Sequence, residues 1–213
     1  MDQPPQAPFP GSALRELRTG EVNPSLVVRP IEAADRDALA AAFARLSPES
    51  RLRRFLAPKP KLTARDLSYL TEVDHVTHEA LAAFDAQGQI VAVARYAAWP
   101  SCRDVAEIAV TVIDACQRRG IGLALAARVI ERARANGFAH LTGNTYFDNI
   151  PARVLMARFG FRYIGVDGGV ATFRLELPGV SLRRAPGRPA AAAGTRRRAC
   201  GTPAPGASPP SSR

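Results

Sequence analysis

Apolar residues follow two rhythms along this chain, and the change between them falls before Ala80. Ala34–Leu46 is alanine-rich, with Leu39, Phe43 and Leu46 at helical spacing and Asp35 near its start. Ser47-Pro48-Glu49 opens a second predicted helix through Leu56, with proline at the first helical position. Pro58 and Pro60 end it. Thr63 then caps a third helix, Ala64–Thr71, with Asp66 completing an imperfect capping box. From there the period shortens. Ala80–Phe84 and Ile90–Ala97 read as strands joined by a hairpin at Ala86-Gln87-Gly88, and Val105–Ile113 reads as a third, long strand. Ile121–Asn136 returns to helical spacing, with Gly137 at its C-cap. His140–Tyr146 is a strand and Ile150–Phe159 a short helix ended by Gly160. Phe161–Val166 and Val170–Leu177 form a hairpin across Asp167-Gly168-Gly169. With a first strand at Ser25–Arg29, closed by Pro30, the order is β, several α, β, β, β, α, β, α, β, β. It predicts a mixed sheet with helices on both faces, one α/β layered domain over about residues 25–177.

Composition adds tails to that domain. The chain has 213 residues and is 46% hydrophobic, enough for a core of ordinary size. Residues 1–24 carry five prolines among polar residues and read as mostly disordered. Residues 178–213, rich in Ala, Pro, Gly and Arg, read the same way. The net charge is +10, but seven arginines and no acid follow Pro178, which leaves +3 for the rest. Nucleic acid as a partner would rest on that tail, where no aromatic residue interleaves the arginines, and it is not expected. Cys102, Cys116 and Cys200 are odd in number and lack metal-ligand spacing, so no metal site and a reduced setting are expected. No run approaches the roughly 20 apolar residues of a membrane helix. The N-terminus also lacks the basic-then-apolar order of a signal peptide. The expectation is a cytoplasmic protein with no membrane partner.

Gln117-Arg118-Arg119-Gly120-Ile121-Gly122 lies between the third long strand and the helix that follows. A strand, a glycine-bearing turn and a helix start gather N–H groups at the positive end of a helix dipole, a ready site for phosphate. The glycines let backbone close on a ligand, and two arginines add positive charge. The spacing fits neither the dinucleotide fingerprint nor the Walker A loop. It is similar to Q/R-x-x-G-x-G/A, the pyrophosphate loop of the GNAT acetyltransferases, which hold acetyl-CoA.

The resemblance continues on both sides of the loop. Glu107 lies on the strand before it, while Asn149, Ala152, Leu155 and Gly160-Phe161 resemble the family's N-x-x-A-x-x-L…G-F motif. The similarity covers Ala106–Phe161 and, more loosely, residues 25–177. It implies a single GNAT-type domain, an α+β mixed sheet that is splayed and largely antiparallel. Val27–Ile31, Phe43–Arg51, Leu62-Thr63, Leu70-Thr71, Val73-Asp74, Ala94-Arg95-Tyr96 and Ala106–Val110 resemble, more narrowly, the GNAT domain of bacterial Pat-type protein lysine acetyltransferases. That implies acetyl-CoA as cosubstrate, no prosthetic group, and a protein substrate such as an acyl-CoA synthetase.

In this family the strand holding Glu107 splays from the one holding Tyr146, and the pantetheine arm enters the gap. By resemblance, backbone groups of Ala109, Val110, Thr111 and Val112 pair with that arm. Gln117, Arg118, Arg119, Gly120, Ile121, Gly122 and Leu123 hold the pyrophosphate. Asn149 bonds the arm from the other side, and it is equally a helix cap before Ile150-Pro151. Glu107 takes the place of the general base. Acyl transfer needs one, because bringing a free lysine of pKa about 10.4 to its neutral form at pH 7 costs roughly 4.6 kcal/mol. Taken alone, Glu107 reads more plainly as a strand-end carboxylate paired with an arginine. Many members place a tyrosine seven residues after the asparagine to protonate the thiolate; Met156 stands there, so no general acid is assigned. Asp74, His75 and His78 read as solvent-facing, Asp114 as a turn residue and Cys116 as a small semi-buried side chain. Two other functions stay open: acetylation of a small amine in an enclosed acidic pocket, and an acyl-CoA-binding module tethered to nucleic acid by its tail.

Overall fold

The computed structural model of the protein describes residues 26–178. The segments read as disordered, 1–24 and 178–213, lie outside it apart from Pro178. The predicted element order is found. It runs β1 (Val27–Pro30), a 3-10 turn (Ala33–Asp35), α1 (Arg36–Ala44), α2 (Pro48–Phe55), α3 (Ala64–Thr71), β2 (His78–Phe84), β3 (Ile90–Trp99) and β4 (Cys102–Val112). A second 3-10 turn (Asp114–Cys116), α4 (Ile121–Ala135), β5 (His140–Tyr146), α5 (Ile150–Arg158), β6 (Arg162–Asp167) and β7 (Val170–Glu176) complete it.

Differences fall where backbone pairing outlasts the apolar pattern. β3 and β4 run on to a tight turn at Pro100, because Ala97↔Glu107, Ala98↔Ala106 and Trp99↔Cys102 remain opposed beyond the last regular alternation. The capping box at Thr63 is complete: Asp66 N–H donates to Thr63 Oγ1 at 3.1 Å, and Thr63 N–H donates to Asp66 Oδ2 at 2.7 Å. α2 ends at Leu56 in the left-handed region (φ 55°), before the prolines expected to stop it.

The seven strands form one sheet in the order β1-β2-β3-β4-β5-β7-β6, and β4–β5 is its only parallel pair. Alternate residues of β2 face opposite layers. Ala80, Ala82 and Phe84 join Leu39, Ala42 and Leu70 of α1 and α3 on one face. Leu81 and Ala83 join Leu125, Val129 and Ala133 of α4 on the other. Every position from Ile90 to Tyr96 of β3 is buried, as a strand covered on both faces requires. Arg95 is the one charged residue in that run.

The sheet splits at its centre. β4 pairs with β3 from Ala106 to Val112, and β5 pairs with β7 over all of His140–Tyr146. Between β4 and β5 the pairing covers only Val105↔His140, Ala106↔Leu141 and Glu107↔Thr142. Beyond Glu107 the two strands part.

Candidate active site

The split leaves backbone groups without strand partners, and the register says which ones. Ile113 N–H donates to Val91 O at 3.0 Å, so Ile113 opposes Val91 as a hydrogen-bonded pair. Hydrogen-bonded and non-bonded pairs alternate along an antiparallel ladder. Thr111 and Ala109 therefore turn their N–H and C=O into β3, whereas Val112 and Val110 turn theirs to the gap. Of the four β4 residues expected to pair with an extended arm, Val110 and Val112 have backbone free to do so. Ala109 and Thr111 face the site with side chains alone. The Val112 carbonyl already accepts from Gln117 Nε2 at 3.2 Å.

The glycine loop closes the wide end of this gap. Gly120 is the N-cap of α4 at φ 78°, and Arg118 stands beside it at φ 59°, unusual for a residue with a side chain. The first amides of α4, those of Ile121, Gly122 and Leu123, have no acceptor one turn earlier within the helix. Ile121 itself is buried in the core and offers the site only backbone. Gly122 has a packing reason: a Cβ there would lie 3.2 Å from Val112 Cγ2 and 3.6 Å from Val110 Cγ1. The helix start thus sits tightly on the stretch of β4 with free backbone. Asp114, expected as a plain turn residue, accepts from Ser47 N–H, Ser47 Oγ and Ser50 Oγ at 2.8–2.9 Å and so ties the loop to the start of α2.

Glu107 stands where the strands part, half-buried. Asn144 Nδ2 donates to its Oε1 at 3.3 Å, and Thr172 Oγ1 donates to Asn144 Oδ1 at 2.9 Å. The next side chain on that face of β5 turns elsewhere: Tyr146 donates to Leu56 O at 3.2 Å, which ties β5 to the end of α2. Asn149 caps α5 through Ala152 N–H at 3.3 Å, donates to Thr145 Oγ1 at 3.0 Å and accepts from Arg53 Nη1 at 3.2 Å. The cap reading is realised, and the side chain is fixed at the rim of the gap. Met156 packs towards Gly143 of β5, where a Cβ would sit 3.0 Å from its Cε.

On the α1–α3 side of Glu107 lies a cluster that the sequence reading left in solvent or did not single out. His78 is partly buried with its ring centroid 4.8 Å from that of Tyr69. Burial, with Arg95 adding to it, lowers the imidazole to about 4, so the ring is neutral and Nε2 can accept from Arg95 Nη1 at 3.3 Å. Arg95 also donates to Leu70 O at 3.1 Å, and burial followed by the charge of Arg54 lowers its guanidinium to about 9. Burial lowers Arg54 too, while Glu107 pulls it back up. His75, at φ 59°, pairs through Nδ1 with the fully buried Glu79 at 2.8 Å, and Arg132 holds the other Glu79 oxygen at 2.8 Å. Asp74 is a turn cap: burial would raise it, but bonds from Thr77 and from the N–H groups of His78, Val76 and Thr77 outweigh that and hold it at about 2. No group of three His, Cys, Asp or Glu side chains able to hold a metal occurs among the described residues.

The profile of the acetyltransferase (GNAT) family matches residues 41–161. The chain belongs to that family. The acetyltransferase Pat of Mycolicibacterium smegmatis is 31% identical over 166 residues, 78% of this chain and 49% of that protein, so the chain spans about half of that relative's length. The GNAT domain of S. lividans PAT superposes with a TM-score of 0.66 at 30% identity, covering 70% of this chain and 89% of the other. A GNAT superfamily phosphinothricin acetyltransferase (Pat) from Sinorhizobium meliloti, solved in complex with AcCoA, shares the fold at a TM-score of 0.59 and 20% identity, over 76% of this chain and 95% of its own.

GNAT acetyltransferases take acetyl-CoA as cosubstrate and carry no prosthetic group. The site suits that molecule. A gap edged by free backbone matches an extended amide-bearing arm, and the open N-terminus of α4 beside Arg118 and Arg119 matches a diphosphate. Among the described residues no helix is long and apolar enough to cross a membrane. Sequence reasoning missed Asn144, Thr172, Arg54 and Tyr69. A usable signal existed for Arg95, the one charge within the apolar run Ile90–Tyr96.

Proposed function

We propose that this GNAT acetyltransferase moves the acetyl group of acetyl-CoA to an amine, a protein lysine side chain, with Glu107 as general base. The observation that carries the reading is the parting of β4 and β5 immediately beyond Glu107, with Val110 and Val112 turned to the gap. In this arrangement the thioester lies along β4 with its carbonyl carbon near the carboxylate. Glu107 accepts a proton from the amine, directly or through water, as nitrogen attacks that carbon. The C–N bond forms, the C–S bond breaks, and the thiolate leaves with the electron pair. Thiolate is a good leaving group near neutral pH, so the absence of a tyrosine at Met156 does not block the step. Asn144, held by Thr172, fixes the Glu107 carboxylate and is a positioning residue. Gln117, Arg118, Arg119, Gly120, Ile121, Gly122 and Leu123 hold the diphosphate, and Asn149 borders the arm.

Protein lysine is favoured by the likeness to the Pat acetyltransferase and to the S. lividans PAT domain. Acetylation of a small amine is the second reading, favoured by the small cavity of about 50 Å³ that Ala109 and Thr111 line on the Glu107 face of β4. The deciding experiment follows thiol release from acetyl-CoA, wild type beside Glu107→Gln, with an acyl-CoA synthetase and a panel of small amines as acceptors. Acetylation of the synthetase, lost in Glu107→Gln while acetyl-CoA still binds, supports both the acceptor and the base. Turnover on small amines alone moves the function to the second reading. Binding without turnover on any acceptor leaves only an acyl-CoA-binding module.

A further inference from the structure

Several arginines of this fold meet a carboxylate. Arg29 pairs with Asp35 at 2.6 Å, Arg53 with Glu49 at 2.6 Å, and Arg132 with Glu79 at 2.8 Å. Arg54 and Arg95 do not. Arg95 is 6% exposed, and its hydrogen-bond partners among the described residues are the neutral His78 ring and the Leu70 carbonyl. Arg54 makes no hydrogen bond or ion pair among the described residues. Its guanidinium carbon lies 4.8 Å from the centroid of the Phe55 ring. The charge of Arg54 weighs on Arg95, and the carboxylate of Glu107 acts on Arg54. Two cations face one anion there, in surroundings where an unpaired charge is costly.

Both arginines line one cavity whose other walls are apolar, Phe55, Leu70 and Ala109 among them, apart from Thr111. Its volume is about 50 Å³. One water needs roughly 10–15 Å³ on that measure, so the space takes a group of three or four heavy atoms and no more. A carboxylate has that size, and its two oxygens match guanidinium donors. Ala109 and Thr111 belong to the same β4 face as Glu107, so the cavity adjoins the place where the amine would stand.

We propose that Arg54 and Arg95 form a carboxylate-binding subsite for the amine acceptor. This rests on the reading of the Glu107 gap as the place of acyl transfer. The acceptor is an amine with a carboxylate close to it, which has two sources: the molecule's own carboxylate in an amino acid, or an acidic side chain beside a target lysine. The paired anion would neutralise the surplus cation, and it would orient the amine towards Glu107.

The test uses the full chain saturated with CoA, which binds without transferring anything. Calorimetry compares 5-aminopentanoate with 5-aminopentanamide, and the peptide Gly-Lys-Glu with Gly-Lys-Gln. In at least one pair the carboxylate member should bind about tenfold tighter or more, the usual worth of a charge-assisted bond in a sheltered site. Preference in the first pair alone identifies an amino acid, and preference in the second alone an acidic neighbour of lysine. In Arg54→Gln the ratio should fall to within about twofold, and Arg54→Lys should keep an intermediate ratio. CoA affinity and melting temperature report that each variant is folded. A wild-type ratio near one in both pairs overturns the proposal, as does a ratio that survives in folded Arg54→Gln. Because binding is the readout, the subsite can stand even if Glu107→Gln leaves turnover intact, so the two readings fail separately.

Discussion

At the α4 end of the cleft the residues proposed to hold acetyl-CoA, Asn149 apart, come from residues 109–123, one strand, one turn and the start of one helix. At the other end Arg54, Tyr69, His78, Arg95, Asn144 and Thr172 come from α2, α3, β2, β3, β5 and β7. The first region presents backbone: amides at a helix start, strand groups left free by a split sheet, and glycines that allow close approach. The second presents side chains whose charges and hydrogen bonds are set by burial. Backbone sites suit a cosubstrate that is always the same, because their geometry follows from the fold. Side-chain sites can be changed residue by residue, which suits the part that meets the acceptor.

Glu107 joins the two regions, and its loss should be the largest effect. Glu107→Gln keeps the shape and removes the base, so kcat should fall about 10²–10⁴-fold, the usual share of general-base catalysis. Acetyl-CoA affinity, measured by calorimetry, should stay within about threefold. A variant that keeps full kcat would cut the link between the regions and leave the split sheet without its assigned chemistry.

The backbone region breaks by steric means. In Gly122→Val the added atoms meet Val112 Cγ2, already 3.2 Å from a bare Cβ, and a β-branched residue cannot rotate away easily. Overpacking of this kind costs about 1–3 kcal/mol. It should also lift the first turn of α4 away from β4, so acetyl-CoA binding should weaken about tenfold or more. Thermal melts and calorimetry read the two effects. If affinity holds while stability drops, the helix start is a packing element and the diphosphate lies elsewhere.

These two ends also differ in how far the amino-acid sequence reveals them. The loop was legible because its members are neighbours in the chain: Gln117, Gly120 and Gly122 keep their spacing wherever the domain goes. The strand before it and the helix after it were equally plain, since apolar period and the Gly137 stop act locally. The backbone direction of Ala109 and Thr111 was not, because only the register of β4 against β3 decides which amides point where. The side proposed for the acceptor was hidden for a similar reason. His78 looks like an exposed polar residue until Tyr69 of α3 covers its ring. Arg54 looks like one more charge on a polar helix, α2, whose neighbours Arg51 and Arg53 carry the same charge. What pairs Asn144 with Glu107 is the β4–β5 crossover, which no short stretch encodes.

A subtler break sits between the two. Asn144→Ala removes the donor to Glu107 and leaves Thr172 without its acceptor, while the carboxylate itself remains. A carboxylate free to swing should lower kcat about tenfold, with the KM for acetyl-CoA unchanged within about twofold. Asn144→Gln, with the amide one methylene further out, should recover little. Equal losses in kcat and in acetyl-CoA affinity would mark Asn144 as part of the β5 framework instead.

The smallest effect separates the regions by pH. Burial and the neighbouring Arg95 hold His78 at about 4 in the folded chain, against an ordinary value of 6.5. Below pH about 6.5 the unfolded chain therefore takes up a proton that the folded chain refuses until about pH 4. The stability tied to a neutral, stacked His78 is complete above that window and declines as the pH falls through it. His78→Gln has no such proton to take up. Its melting temperature should start lower at pH 7.5, where the Tyr69 stack is lost, and should fall less steeply than that of the wild type between pH 6.5 and 4.5. Arg119→Ala, at the exposed loop, should follow the wild-type slope throughout. Circular dichroism melts across that range distinguish the cases, and parallel slopes for wild type and His78→Gln would return His78 to solvent and loosen the packed cluster from which Arg95 is argued.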